Sequence, residues 1–91
     1  MARLKDKVAI ITGAAQGIGA VYAREMAKEG AKIVIADIDN GEKLENEIIN
    51  SGGNAINIIT DVSQEDSVEK TVQLTVKEYG RVDILVNNAA I

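Results

Sequence analysis

An α/β fold built on a doubly wound parallel sheet is what this 91-residue sequence predicts, on three observations. Four short runs rich in Val and Ile recur along the chain, segments with helical period separate them, and a glycine-rich turn joins the first run directly to the first such segment. The runs are Val8–Ile11, Ile33–Ala36, Ala55–Ile59 and Val82–Val86. The first two are apolar without alternation, as expected of strands covered on both faces. The last two each admit one polar residue, Asn57 and Asp83.

In the first helical segment Ile18, Val21, Tyr22 and Met26 fall on one stripe, and Gly30 stands where a C-terminal cap belongs. The second runs from about Gly41 to Asn50, with Leu44 and Ile48 on one face and Gly52-Gly53 ending it. In the third, Ser63 precedes Asp66 with capping-box-like spacing, and Val68, Val72, Val76 and Tyr79 mark a stripe up to Gly80. The order β-α-β-α-β-α-β predicts parallel strands joined by right-handed crossovers. No linker, repeat or low-complexity tract interrupts it, so residues 1–91 read as a single continuous unit.

Composition narrows the chemistry. His, Cys, Pro, Phe and Trp are all absent, which removes disulfides, thiolate nucleophiles, His- or Cys-based zinc sites and His-based triads. The net charge of −4 argues against nucleic acid as a partner. The charge is uneven: six basic and three acidic residues up to Ala36, then four and eleven. No apolar stretch reaches the ~18 residues of a membrane span and no targeting segment is evident, so the expectation is a cytoplasmic chain without membrane partner.

The turn Thr12-Gly13-Ala14-Ala15-Gln16-Gly17-Ile18-Gly19 carries the functional signal. Glycines here allow a sharp turn off the strand, close approach of a phosphate to backbone, and tight packing of helix on strand. The helix N-terminus then faces the anion with its free N–H groups. No lysine follows in the Walker pattern, which leaves the pyrophosphate of a dinucleotide. Asp37 ends the second run eighteen residues after Gly19, close to the ~20-residue offset of the acid that meets ribose hydroxyls. A carboxylate there repels a 2′-phosphate, and no Arg or Lys at Ala14, Ala15, Gln16, Ile38 or Asp39 offsets it. The cofactor predicted is NAD rather than NADP.

These residues resemble the N-terminal, coenzyme-binding part of the short-chain dehydrogenase/reductase family, in its classical subgroup. The spacing Thr-Gly-x-x-x-Gly-x-Gly at 12–19 is similar to that family's coenzyme loop; Asp61-Val62 resembles the pair it sets against adenine; Asn87-Asn88-Ala89-Ala90 resembles its Asn-Asn-Ala-Gly motif, with Ala90 in place of Gly. The resemblance spans the whole chain. It implies a Rossmann-like sheet in the order 3-2-1-4, incomplete relative to the family, and a cofactor site of Gly13, Gln16, Gly17, Ile18, Gly19, Asp37, Ile38, Asp61, Val62, Asn88, Ala89 and Ala90. For Asn87 a hydrogen-bonding role within the sheet competes with ligand contact.

The resemblance also implies hydride transfer between NAD(H) and a secondary alcohol or ketone in a complete enzyme of ~250 residues. Its catalytic Ser and Tyr-x-x-x-Lys pair have no counterpart here: Met26 stands four residues after Tyr22, and Asp83 four after Tyr79. The chain is expected to stop before the catalytic region, to be inactive alone, and to self-associate through an uncovered fourth strand. Two other readings stay open: a self-standing dinucleotide-binding module, and a structural or designed fragment that binds nothing.

Overall fold

The computed structural model describes residues 3–88. Its elements run β1 (Val8–Thr12), α1 (Gly17–Lys28), β2 (Lys32–Asp37), α2 (Glu42–Asn50), β3 (Asn54–Ile59), α3 (Glu65–Tyr79) and β4 (Ile84–Asn87). The strands form one parallel sheet in the order β3-β2-β1-β4, as predicted. Every residue of β1 is buried, in keeping with its central place and unbroken apolar run.

Side chains of alternate residues leave the sheet on opposite faces. Ala9, Ile11, Ile33, Ile35 and Ala55 form the larger core with Ala20 and Ala23 of α1 and Leu44 and Ile48 of α2. On the other face Ile10, Val34 and Ala36 meet Tyr79 of α3. Two helices thus cover one face and a single helix the other.

Helix α2 packs through Leu44 and Ile48 as expected, whereas α1 and α3, Met26 and Tyr79 apart, meet the sheet through residues outside the predicted stripes. On α1 it is Gly19, Ala20 and Ala23 that are buried, whereas Ile18 is 65% exposed and Val21 and Tyr22 also face outward. On α3 the buried residues are Thr71 and Thr75, and Val68, Val72 and Val76 are exposed. Small side chains let a helix axis approach the sheet closely, and the threonine hydroxyls are satisfied within the helix and, for Thr71, also by Thr60 Oγ1 (2.6 Å). Thr75 Oγ1 donates to the carbonyl of Thr71 (2.7 Å), and Thr71 Oγ1 to that of Ser67 (3.0 Å).

The capping expectation at Ser63 also fails. Helix α3 begins at Glu65 behind Gln64, which makes no side-chain cap. Ser63 turns back instead, donating its N–H (3.0 Å) and hydroxyl (2.6 Å) to Asp61 Oδ1.

The polar residue in each of the last two apolar runs has a structural role. Asp83 accepts the N–H of Val8 on Oδ2 (2.9 Å) and donates its own N–H to the Val8 carbonyl (2.9 Å), which extends the β1–β4 pairing past the strand end. Asn57 ties β3 to the turn that opens α2. Among the described residues no helix is long and apolar enough to cross a membrane.

Candidate functional site: a cleft at the carboxyl ends of the strands

Parallel register brings the strand ends level: Thr12 lies beside Ala36 and Asn87, and Asp37 beside Ile59. The segments that follow these ends therefore gather on one rim. Between them lies a cleft of about 450 Å³, lined by Gly13, Gln16, Ala36, Asp37, Ile38, Asp39, Thr60, Asp61, Val62, Ser63 and Asn88.

The glycine turn is built by close approach. A Cβ at position 19 would fall 2.2 Å from the Gly13 carbonyl oxygen and 2.8 Å from Asn88 Nδ2, so only glycine lets α1 start this near β1. Gly17 has a φ of +66°, in the left-handed region, with nothing within 4 Å of where its Cβ would stand. The first turn of α1 holds no acidic residue, and Gln16 before it makes no side-chain cap. Helices α2 and α3, by contrast, open with Glu42 and Glu45 and with Glu65 and Asp66.

Asp37 is clamped at the end of β2. Its Oδ2 accepts the N–H of Ala15 (2.9 Å) and its Oδ1 that of Asp39 (3.0 Å), so the acid is bonded directly to the glycine turn. A carboxylate offers about four acceptor positions, and these two bonds leave the remainder for a ligand. Across the cleft, Ser63 fixes Asp61 through two hydrogen bonds that hold its carboxyl below the usual carboxylate range. The Asp61 N–H donates to Ser67 Oγ (2.8 Å).

Thr12 and the end of β4 complete the rim. Thr12 Oγ1 accepts the N–H of Asn88 (2.9 Å) and lies 3.3 Å from Asn87 Oδ1, giving Asn87 a role inside the sheet. Asn88 Nδ2 donates to the Gly13 carbonyl (3.4 Å) and so braces the glycine turn from β4.

Of the sequence-predicted residues, Gly13, Gln16, Asp37, Ile38, Asp61, Val62 and Asn88 line this cleft. Gly19 lies behind it as a spacer. Gly17 borders a separate depression of about 240 Å³ between α1 and α2, and the Ile18 side chain points to solvent. Ala89 and Ala90 lie outside the described residues. Sequence reasoning missed Ala36, Asp39, Thr60 and Ser63 as lining residues. Their signal was adjacency to Asp37 and Asp61, since two strand ends in register carry their neighbours onto the same rim.

Comparison with known proteins decides the family. Residues 7–91 match the family described as short chain dehydrogenase. The chain belongs to the short-chain dehydrogenase family. It is 53% identical over 91 residues to tropinone reductase-like 1 of Erythroxylum coca, an alignment covering 98% of this chain and 32% of that protein. With galactitol 2-dehydrogenase of Agrobacterium fabrum the identity is 48%, over 98% of this chain and 34% of the relative. Among solved structures, a hydroxysteroid dehydrogenase from Escherichia coli superposes with a TM-score of 0.94 at 38% identity, over 98% of this chain and 39% of that one. The chain thus spans about a third of the length of the curated short-chain dehydrogenases it matches.

Proposed function

We propose that this chain is the NAD-binding portion of a short-chain dehydrogenase whose complete form transfers hydride between NAD(H) and a secondary alcohol or ketone. The observation that carries the reading is the clamp on Asp37. One N–H of the glycine turn fixes the acid, so the pyrophosphate and ribose positions form a single unit at the mouth of the cleft.

The residues present fit the cofactor. The glycine turn and the uncapped start of α1, free of acidic residues, suit a pyrophosphate. Open space at Gly17 leaves room for phosphate oxygens. Asp37 would accept the hydroxyls of the adenosine ribose. Ile38 and Val62 offer apolar surface to the adenine ring, with Asp61 at its polar edge, and Asn88 holds the glycine turn in place. A volume of about 450 Å³ lies in the range of small-molecule pockets, ~300–1,000 Å³.

Three carboxylates, Asp37, Asp39 and Asp61, line the cleft, and among the described residues no lysine or arginine does. That balance favours NAD over NADP, whose 2′-phosphate would meet only negative charge. Bound NAD(H) supplies the hydride acceptor or donor, while this chain's residues bind and orient it. With no Tyr-x-x-x-Lys pair in these 91 residues, the chain alone is expected to turn over no ketone or alcohol. Self-association follows from β4, an edge strand on which Leu85 is 64% exposed; a monodisperse monomer in sedimentation velocity would refute that part.

The test is a fluorescence titration of the purified chain with NADH, run beside NADPH. Saturable binding of NADH with much weaker binding of NADPH supports the reading. Binding of neither would show that these four strands hold no working cofactor site, and equal binding of both would overturn the preference for NAD.

A further inference from the structure

The turn between β2 and α2 contains the dipeptide Asn40-Gly41. An asparagine followed by glycine is chemically labile, because no Cβ hinders attack of the next main-chain nitrogen on the side-chain carbonyl carbon. The packing imposes the glycine. A Cβ at position 41 would lie 2.5 Å from Ile35 Cγ2 and 2.9 Å from Asn57 Oδ1. Ile35 is fully buried in the central core and has no room to withdraw. The glycine half of the labile pair is therefore built into the fold, and Asn40 before it is exposed.

Both reacting groups are nevertheless engaged in hydrogen bonds. The Gly41 N–H, whose nitrogen would attack, donates to Asn57 Oδ1 (3.1 Å). The side-chain carbonyl of Asn40, which would be attacked, accepts from the N–H of Glu42 (2.9 Å) and from Asn57 Nδ2 (2.9 Å). The main-chain donors fix the orientation of both amides, since each needs an oxygen opposite it. Asn57 is itself anchored, its main-chain N–H donating to Glu45 Oε2 (3.0 Å).

We propose that Asn40 is a latent site of spontaneous deamidation and that Asn57 keeps it dormant. When Asn57 releases the turn, hydroxide removes the Gly41 amide proton. The nitrogen bonds to Asn40 Cγ, and the bond from Cγ to the side-chain nitrogen breaks, releasing ammonia and leaving a five-membered succinimide. Water then opens either carbonyl of the ring, giving Asp or isoAsp. The net change is one water consumed and one ammonia released, with no oxidant or reductant. Either product adds a carboxylate beside Asp39, and isoAsp also lengthens the main chain of this turn by one methylene.

The test compares the full chain with Asn57→Ala and Asn57→Asp at mildly alkaline pH, measuring conversion at Asn40 by peptide mapping and mass spectrometry. Asn50, in α2, is followed in the same digests as a reference. Asn57→Asp keeps an acceptor for the Gly41 N–H but withdraws the donor to Asn40, so conversion should rise about fivefold, the factor set by one neutral hydrogen bond. Asn57→Ala removes both bonds and should raise it by roughly 25-fold on the same scale. Should Asn57→Ala loosen the whole chain, Asn57→Asp carries the comparison. A selective rise at Asn40 supports the proposal. No rise in either variant, or an equal rise at Asn40 and Asn50 in Asn57→Asp, overturns it.

Discussion

Replacing Gly19 by alanine tests how closely α1 must approach β1. The new Cβ would lie 2.2 Å from the Gly13 carbonyl oxygen and 2.8 Å from the carbonyl carbon behind it. Ordinary contact distances are ~3.5 Å, so the first turn of α1 and the glycine turn must separate by about 1 Å. No side-chain rotation relieves this, because the obstacle is backbone and Gly13 is itself tied by its N–H to the Ala36 carbonyl (2.8 Å). Overpacking of this kind costs ~1–3 kcal/mol, against a gain of up to ~1 kcal/mol from the better helix propensity of alanine. The net expectation is a loss of about 1–2 kcal/mol, or a fall in Tm of roughly 4–16 °C for a domain of this size. Weakening one charge-assisted bond to the pyrophosphate should also raise the Kd for NADH by about 30-fold. Gly17→Ala is the control. It carries a left-handed strain of ~1–2 kcal/mol but meets no atom within 4 Å, so its stability loss is dihedral, and its binding loss comes from filling the space proposed for phosphate. Melting curves and NADH titrations of both variants check the reasoning. A Gly19→Ala chain as stable as the parent would refute it, since helix propensity would then outweigh the contact.

Asp37→Asn should weaken NADH binding about tenfold by losing a charged acceptor and strengthen NADPH about tenfold by removing repulsion, worth up to ~4 kcal/mol unscreened and about a third of that in salt. The ratio of the two dissociation constants therefore falls by about 100-fold, and an unchanged ratio in paired titrations would show that Asp37 does not discriminate. The Arg81 guanidinium and the Val8 N–H hold the Asp83 carboxyl below the usual carboxylate range. A lowered folded-state pKa stabilises the fold fully above the unfolded value, ~3.9, and that contribution is lost as pH falls through the lower folded value. Asp83→Asn should accordingly destabilise the chain at pH ~7 and flatten the dependence of its urea midpoint on pH below ~4; a midpoint that falls in acid as steeply as that of the parent chain would count against the linkage.

The strands and the glycine turn were legible because local sequence determines them. Four Val/Ile-rich runs have no helical period, and a turn with Gly13, Gly17 and Gly19 has one economical conformation between strand and helix. Asp37 was legible for the same reason, through its fixed offset from the turn. Asn57 and Asp83 were not, because their partners Gly41 and Val8 stand 16 and 75 residues away in sequence and meet them only once the sheet is assembled. The β3 side of the cleft was half visible: Asp61 and Val62 had a motif to mark them, whereas Thr60 and Ser63 reach the rim by register alone.

The two misread helices have one physical cause. Periodicity finds the stripe with the largest apolar side chains; of those stripes Met26 on α1 and Tyr79 on α3 pack against the core, while Ile18, Val21, Tyr22, Val68, Val72 and Val76 stand exposed. A sheet of Val and Ile residues is already bulky, so the helix faces that pack on it are the smooth ones: Gly19, Ala20 and Ala23, and Thr71 and Thr75. The larger side chains then stand outside the core of these residues, with apolar area worth about 25 cal/mol per Å² if it were buried. Leu85 stands exposed on the edge strand β4 in the same way. Hydrophobic periodicity thus located an apolar stripe on α1 and on α3 and assigned most of it to the wrong neighbour, because much of the sheet was already covered by smaller residues.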